Sequence, residues 1–169
     1  MSVKKILFLG NPALYSVSEP VKEYEMADIE KTIVNLHDTL INFRKRYSVG
    51  RAIAAPQIGE NKRIIYMYID QPVVIINPIL KPITEETFEV WDDCMSFPDL
   101  MVKVLRHKKV DLKFKDQEWN DRTLILENDL SELLQHEFDH LNGILATMRA
   151  IDKKSIIYKS ELQHYEVKK

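Results

Sequence analysis

The sequence predicts an α+β fold built on a mainly antiparallel sheet, and three observations carry that prediction. From Ala27 to about Tyr47, apolar residues recur at intervals of three and four, the period of an amphipathic helix. From Arg63 to Leu126, short segments rich in β-branched and aromatic residues follow one another, and several alternate apolar with basic residues. A second helical segment, about Leu130 to Leu141, comes only after them. Parallel crossovers need a long connection between strands, and this order leaves them little room.

The elements follow in chain order. Met1 to Leu9 runs from basic to apolar, is too short for a signal-peptide core, and is ended by the turn Gly10-Asn11-Pro12. Residues 13–24, with Pro20, read as irregular. In the first helix Ile29, Ile33, Leu36, Leu40 and Phe43 form the stripe; Asp28 is placed to begin it and Gly50 lies just past its end. His37, beside the stripe, reads as an ordinary helix residue. Gly50 to Gly59 reads as a tight loop, or as a place where small residues let backbone approach a ligand. Strands are expected over 63–68, 73–77 (closed by Asn77-Pro78), 88–91, 102–104, 110–114 and 123–126, with a turn at Lys115-Asp116-Gln117. Asp129 or Ser131 could cap the second helix, and Gly143 stands where it needs a left-handed exit. Ser155 to Tyr165 is weakly amphipathic and reads as a last helix.

A chain of 169 residues fits one domain over 1–169, and no repeat or linker divides it. Hydrophobic residues at 45% and charged residues at 30% are those of an ordinary globular protein with a real core. The net charge of -2 argues against a sequence-independent grip on nucleic acid. No stretch approaches the roughly 20 apolar residues of a membrane span. Cys94 is the single cysteine, so an internal disulfide is impossible and a reducing, cytoplasmic location is expected.

Chemistry concentrates in three stretches. Gln135-His136-Glu137-Phe138-Asp139-His140 contains His-Glu-x-x-His. On a helix the two histidines share a face and can offer two imidazoles to one ion, while Glu137 can move the protons of water. The motif is short, and two such histidines can also be plain surface or core residues; a catalytic site needs a third ligand. Cys94, in Trp91-Asp92-Asp93-Cys94-Met95-Ser96, offers a thiolate or, equally in keeping with one cysteine, a small buried hydrophobe. In Gly50-Arg51-Ala52-Ile53-Ala54-Ala55-Pro56-Gln57, Gln57 could present its amide to a developing oxyanion.

Together, Gly-x-x-x-Ala-Ala-Pro-Gln, then Cys-Met-Ser, then Gln-His-Glu-x-Asp-His-Leu-x-Gly resemble the signature motifs of peptide deformylases, over residues 50–143. Asn11-Pro12-Ala13-Leu14 looks like that family's N-terminal segment on the substrate side. The resemblance implies an α+β fold with antiparallel sheets around a central metal-binding helix. It implies that Cys94, His136 and His140 hold one divalent ion, typically ferrous iron, replaceable by nickel, cobalt or zinc. Glu137 becomes the proton carrier, and Gln57 with the backbone N–H of Met95 becomes the oxyanion site. Gly50, Ala52, Asp93 and Leu133 fall on the substrate side. Arg106 would pair with Asp92. Asp139 could fix the second imidazole nitrogen of His140 or face solvent. The implied substrate is the N-formyl group on the methionine of new polypeptides, met at the ribosome by a monomer or weak dimer.

The chain departs from the family pattern where substrate is expected. Asp92-Asp93 replaces Glu-Gly before the cysteine, and Arg51-Ala52 replaces an aliphatic-glycine pair. Glu132 stands where the family has an apolar residue lining the methionine pocket; it is expected to point to solvent, and if it lines the pocket a methionine fits poorly. Rival readings are an amidohydrolase for another N-formyl or N-acyl substrate and a binding protein without turnover. A protease of the His-Glu-x-x-His type leaves the first two stretches unexplained.

Overall fold

Two antiparallel sheets meet on one helix in the computed structural model of this chain, which describes residues 2–165. The ends of the domain expected over 1–169, residue 1 and residues 166–169, lie outside the described residues. The first sheet contains β1 (Ala52–Ala54), β2 (Ile64–Tyr68), β3 (Pro72–Pro82), β6 (Lys109–Lys115) and β7 (Asp121–Glu127), in the order β1-β2-β3-β6-β7. The second contains β4 (Thr87–Asp92), β5 (Leu100–His107) and β8 (Ile156–Tyr158), in the order β4-β5-β8. Every pairing within both sheets is antiparallel.

The first helix, α1 (Met26–Tyr47), lays its apolar stripe on one face of the first sheet: Leu36, Leu40 and Phe43 pack with Ile53, Ile64, Tyr66 and Ile76. The second, α2 (Asn128–Leu141), covers the opposite face, where Leu133, Leu134 and Leu141 meet Ile65, Ile75 and Leu112. Successive strand residues point to opposite faces. Ile64 therefore belongs to the α1 side and Ile65 to the α2 side. This is why β2 and β3 read as continuous apolar runs. Leu36, Leu40, Leu112 and Leu134 are fully buried, and each such side chain contributes about 1.5–3 kcal/mol. On its other side α2 packs against β5, which places it between the two sheets.

Several sequence expectations need correction. Residues 50–59 are not only a loop. They form β1 and a 3-10 turn over Ala55–Ile58, with Ala52, Ala54 and Ala55 buried. The strand expected to stop at Asn77-Pro78 runs through it as β3, with the register shifting between Ile76 and Ile79. Proline cannot donate to the ladder, so the chain bulges there. Asn77 takes φ +50° and clasps the backbone of Val21, accepting its N–H at 2.9 Å and donating to its carbonyl at 2.7 Å. The expected C-terminal helix is instead β8 followed by a 3-10 helix over Lys159–His164, because the open edge of β5 pairs with Ile156-Ile157-Tyr158.

The helix ends also differ from expectation. Gly50 lies just past the end of α1, as expected; the left-handed residue that ends the helix is Ser48, and Asp28 lies within the first turn. Neither Asp129 nor Ser131 caps α2. Asp129 pairs with Arg51, and the Ser131 hydroxyl donates to the His107 carbonyl at 2.7 Å. Gly143 does supply the left-handed exit, at φ +69°. A Cβ there would lie 2.5 Å from the Tyr15 carbonyl oxygen. His37 has a structural partner, its Nδ1 lying 2.7 Å from the Tyr66 hydroxyl. No helix of the described residues is long and apolar enough to cross a membrane.

Candidate metal centre

Enclosed by both sheets, α2 buries polar side chains as well as apolar ones: Glu132, Gln135, His136, Glu137, Asp139 and His140 are all buried. Gln135 anchors the helix to the β5–β6 turn. It accepts from the His107 N–H at 3.0 Å and donates to the His107 carbonyl at 2.8 Å. With the helix fixed in this way, His136 and His140 turn their Nε2 atoms toward each other at 3.1 Å. Cys94 follows β4 and brings its Sγ to 3.2 Å from His140 Nε2. The thiol and the two imidazoles are buried, and their donor atoms lie within 4.8 Å of one another. Three buried soft and borderline donors converging on one point fit a zinc- or iron-type divalent ion and leave a position open.

The surroundings set the orientation and charge of each group. His136 Nδ1 lies 2.8 Å from Asp92 Oδ1, so its Nε2 is the nitrogen left for an ion. Burial pulls the His136 pKa down, but Asp92 and Cys94 outweigh it and hold it well above the usual histidine range. Burial and His136 push His140 well below that range. Burial raises Asp92, but His136 and Arg106 bring it down to about 2. Arg106 donates to Asp92 at 2.7 Å and to Asp139 at 2.6 Å, all three residues being buried. Asp139 neither fixes His140 nor faces solvent. Its carboxylate instead joins Arg106 to Arg149, which donates to both of its oxygens at 2.6 Å. Among the described residues nothing pairs with His140 Nδ1.

A cleft of about 740 Å³ opens beside the three donors. Glu137 lines it, and its Oε2 is buried with no partner among the described residues. Burial pushes the Glu137 carboxyl up to about 7, with His136 opposing and Asp92 adding to the shift. The Gln57 amide is oriented by its own Oε1, which accepts the Ala54 N–H at 2.9 Å. Its Nε2 therefore faces Cys94 Sγ at 3.5 Å and Ser96 Oγ at 3.2 Å. Gly50, Ala52, Asp93, Met95 and Leu133 also line this cleft.

Glu132 corrects the expectation of a solvent-facing side chain. It is 9% exposed, it lines the cleft, and burial followed by Asp92 pushes its carboxyl up to about 7. Arg149 and Lys159 gave no signal in the sequence. Lys159 reaches back from the C-terminal segment to Asp93 at 2.9 Å. Only the acidic residue beside the cysteine hinted that a cation was needed there.

Comparison with known proteins agrees with this geometry. The family model described as polypeptide deformylase matches residues 3–155. The peptide deformylase of Thermotoga petrophila is 31% identical, with 94% of this chain and 93% of that protein covered. That of Leptospira biflexa is 32% identical, with 96% of each covered. The crystal structure of the Thermotoga maritima peptide deformylase superposes with a TM-score of 0.81 at 31% identity, covering 90% of this chain and all of that one. The Synechococcus elongatus enzyme, solved in complex with actinonin, gives 0.83 at 26% identity, covering 92% of this chain and 82% of that one. The chain described here belongs to the peptide deformylase family.

Proposed function

We propose that this chain, as one catalytic domain in the cytoplasm, removes the N-formyl group from the N-terminal methionine of newly made polypeptides. It meets them at the ribosome, acts as a monomer or weak dimer, and carries ferrous iron, for which zinc, nickel or cobalt can stand in. The observation that carries this reading is the grouping of the Cys94, His136 and His140 donors beside one cleft that the Glu137 carboxyl and the Gln57 amide line.

The residues divide the work of formamide hydrolysis. Cys94, His136 and His140 would hold the ion, which supplies Lewis acidity that acidifies water and polarises a carbonyl. Glu137 takes the proton of the attacking water. Its carboxyl sits near neutrality, where a group can both accept and return a proton. The Gln57 Nε2 and the Met95 N–H donate to the oxygen as the formyl carbon becomes tetrahedral. Glu137 then passes its proton to the amine as the C–N bond breaks, which gives formate and a free N-terminus. Asp92, held by Arg106, keeps His136 in its orientation.

The test is Glu137→Ala. The variant is expected to bind as much metal as the wild type and to lose about a thousandfold in turnover of formyl-Met-Ala-Ser, within the range for a general base. Unchanged turnover would remove Glu137 from the reaction.

A further inference from the structure

The wall of the cleft next to the metal donors is charged in an unbalanced way. Glu132 lies four residues before His136, about 6 Å along the same face of α2. It lines the same cleft as Glu137 and Cys94. Its neighbours in charge are already engaged. Arg51 bonds Asp129 through Nη1, and its Nη2 stays 3.8 Å from Glu132, beyond hydrogen-bond reach. Asp93 is matched by Lys159. Glu132 is left as a carboxyl that is 9% exposed and forms no hydrogen bond among the described residues. A buried carboxylate in that state is costly, and a donor brought by a ligand relieves the cost. The raised pKa of Glu132 has the same origin, since burial and Asp92 both act against its charge. A thioether has no proton to donate and cannot supply that relief.

Resting on the deformylase reading, we infer that Glu132 reads the first side chain of the formylated substrate. Besides formyl-methionine, the site takes, and prefers, an unbranched side chain ending in an N–H donor, either an ammonium or a carboxamide. An extended lysine or glutamine side chain, together with a hydrogen bond of about 2.9 Å, spans that rise.

The test compares kcat/KM for formyl-norleucyl-, formyl-glutaminyl- and formyl-lysyl-Ala-Ser on the metal-loaded wild type and on Glu132→Ile. Norleucine is the lysine chain without its ammonium and copies the shape of methionine. A hydrogen bond to a charged group predicts at least a tenfold advantage of lysine or glutamine over norleucine in the wild type. In Glu132→Ile the order is expected to reverse. An advantage for both peptides assigns hydrogen bonding, and one for lysine alone assigns charge. If Glu132→Ile does not fold, Glu132→Gln keeps the shape and is expected to lose the lysine preference. Turnover in which norleucine equals or leads the others overturns this inference alone, as does a preference that survives the substitution. Absence of turnover on all three peptides overturns the deformylase reading and this inference with it.

Discussion

Cys94 completes the candidate metal centre from outside the helix. Two imidazoles four residues apart make a weak pair by themselves, and the buried thiol 3.2 Å from His140 turns them into a three-donor site. Cys94→Ala is expected to reduce the metal retained through purification from about one ion per chain to a small fraction. Undiminished metal content would place the ion elsewhere. Glu132 makes a separate prediction about stability. Its carboxyl is raised from 4.5 to about 7 by burial, so between those values the folded protein holds a proton that the unfolded chain has released. The contribution of Glu132 to stability is then greatest below pH 4.5 and falls as pH rises toward 7. Glu132→Gln removes this penalty. Relative to its effect at pH 4, the substitution is expected to stabilise the fold by a few kcal/mol at pH 8, as thermal unfolding at the two pH values will read. A difference between the two pH values of zero, or of opposite sign, contradicts the burial of that charge. His136, Glu137 and His140 were legible in the sequence because helical spacing alone puts the two histidines on one face. The Asp92 to His136 contact and the Asp139 to Arg149 pair were not, since they form only when β4, α2 and the segment after α2 are brought together.

At the scale of elements, the close passage of α2 by the N-terminal segment is the sharpest constraint. Gly143 ends the helix at φ +69°, and a Cβ there would stand 2.5 Å from the Tyr15 backbone. Gly143→Ala is expected to cost at least about 2 kcal/mol, from left-handed strain together with the clash. Gly143→Asn tolerates the φ but not the clash, and is expected to cost nearly as much. Urea midpoints check both, and a silent alanine substitution would mean that the loop moves away freely. The first long helix was legible because its stripe repeats over many residues, and the second because the His-Glu-x-x-His spacing and Gly143 mark it. The three-residue strands β1 and β8 were not, because each exists only by pairing with the edge of a longer strand, β2 or β5. The bulge in β3 hid behind Asn77-Pro78, which reads locally as a stop.

Across the whole molecule, two sheets clamp a helix that carries most of the candidate site's side chains, and a cleft opens beside it. The α+β class followed from the order of the elements. The arrangement of sheets around a central helix came only with the family resemblance, since local pattern does not say which strands share a sheet. Taken whole, this protein is proposed to hydrolyse a formamide and to need a metal on Cys94, His136 and His140 to do so. The most direct measurement is the rate of amine release from formyl-Met-Ala-Ser by protein purified without oxygen and loaded with iron or nickel, before and after chelation. Turnover that disappears with the chelator and returns when metal is restored is the predicted result. No turnover with an ion bound to each chain, or turnover indifferent to the chelator, would contradict it.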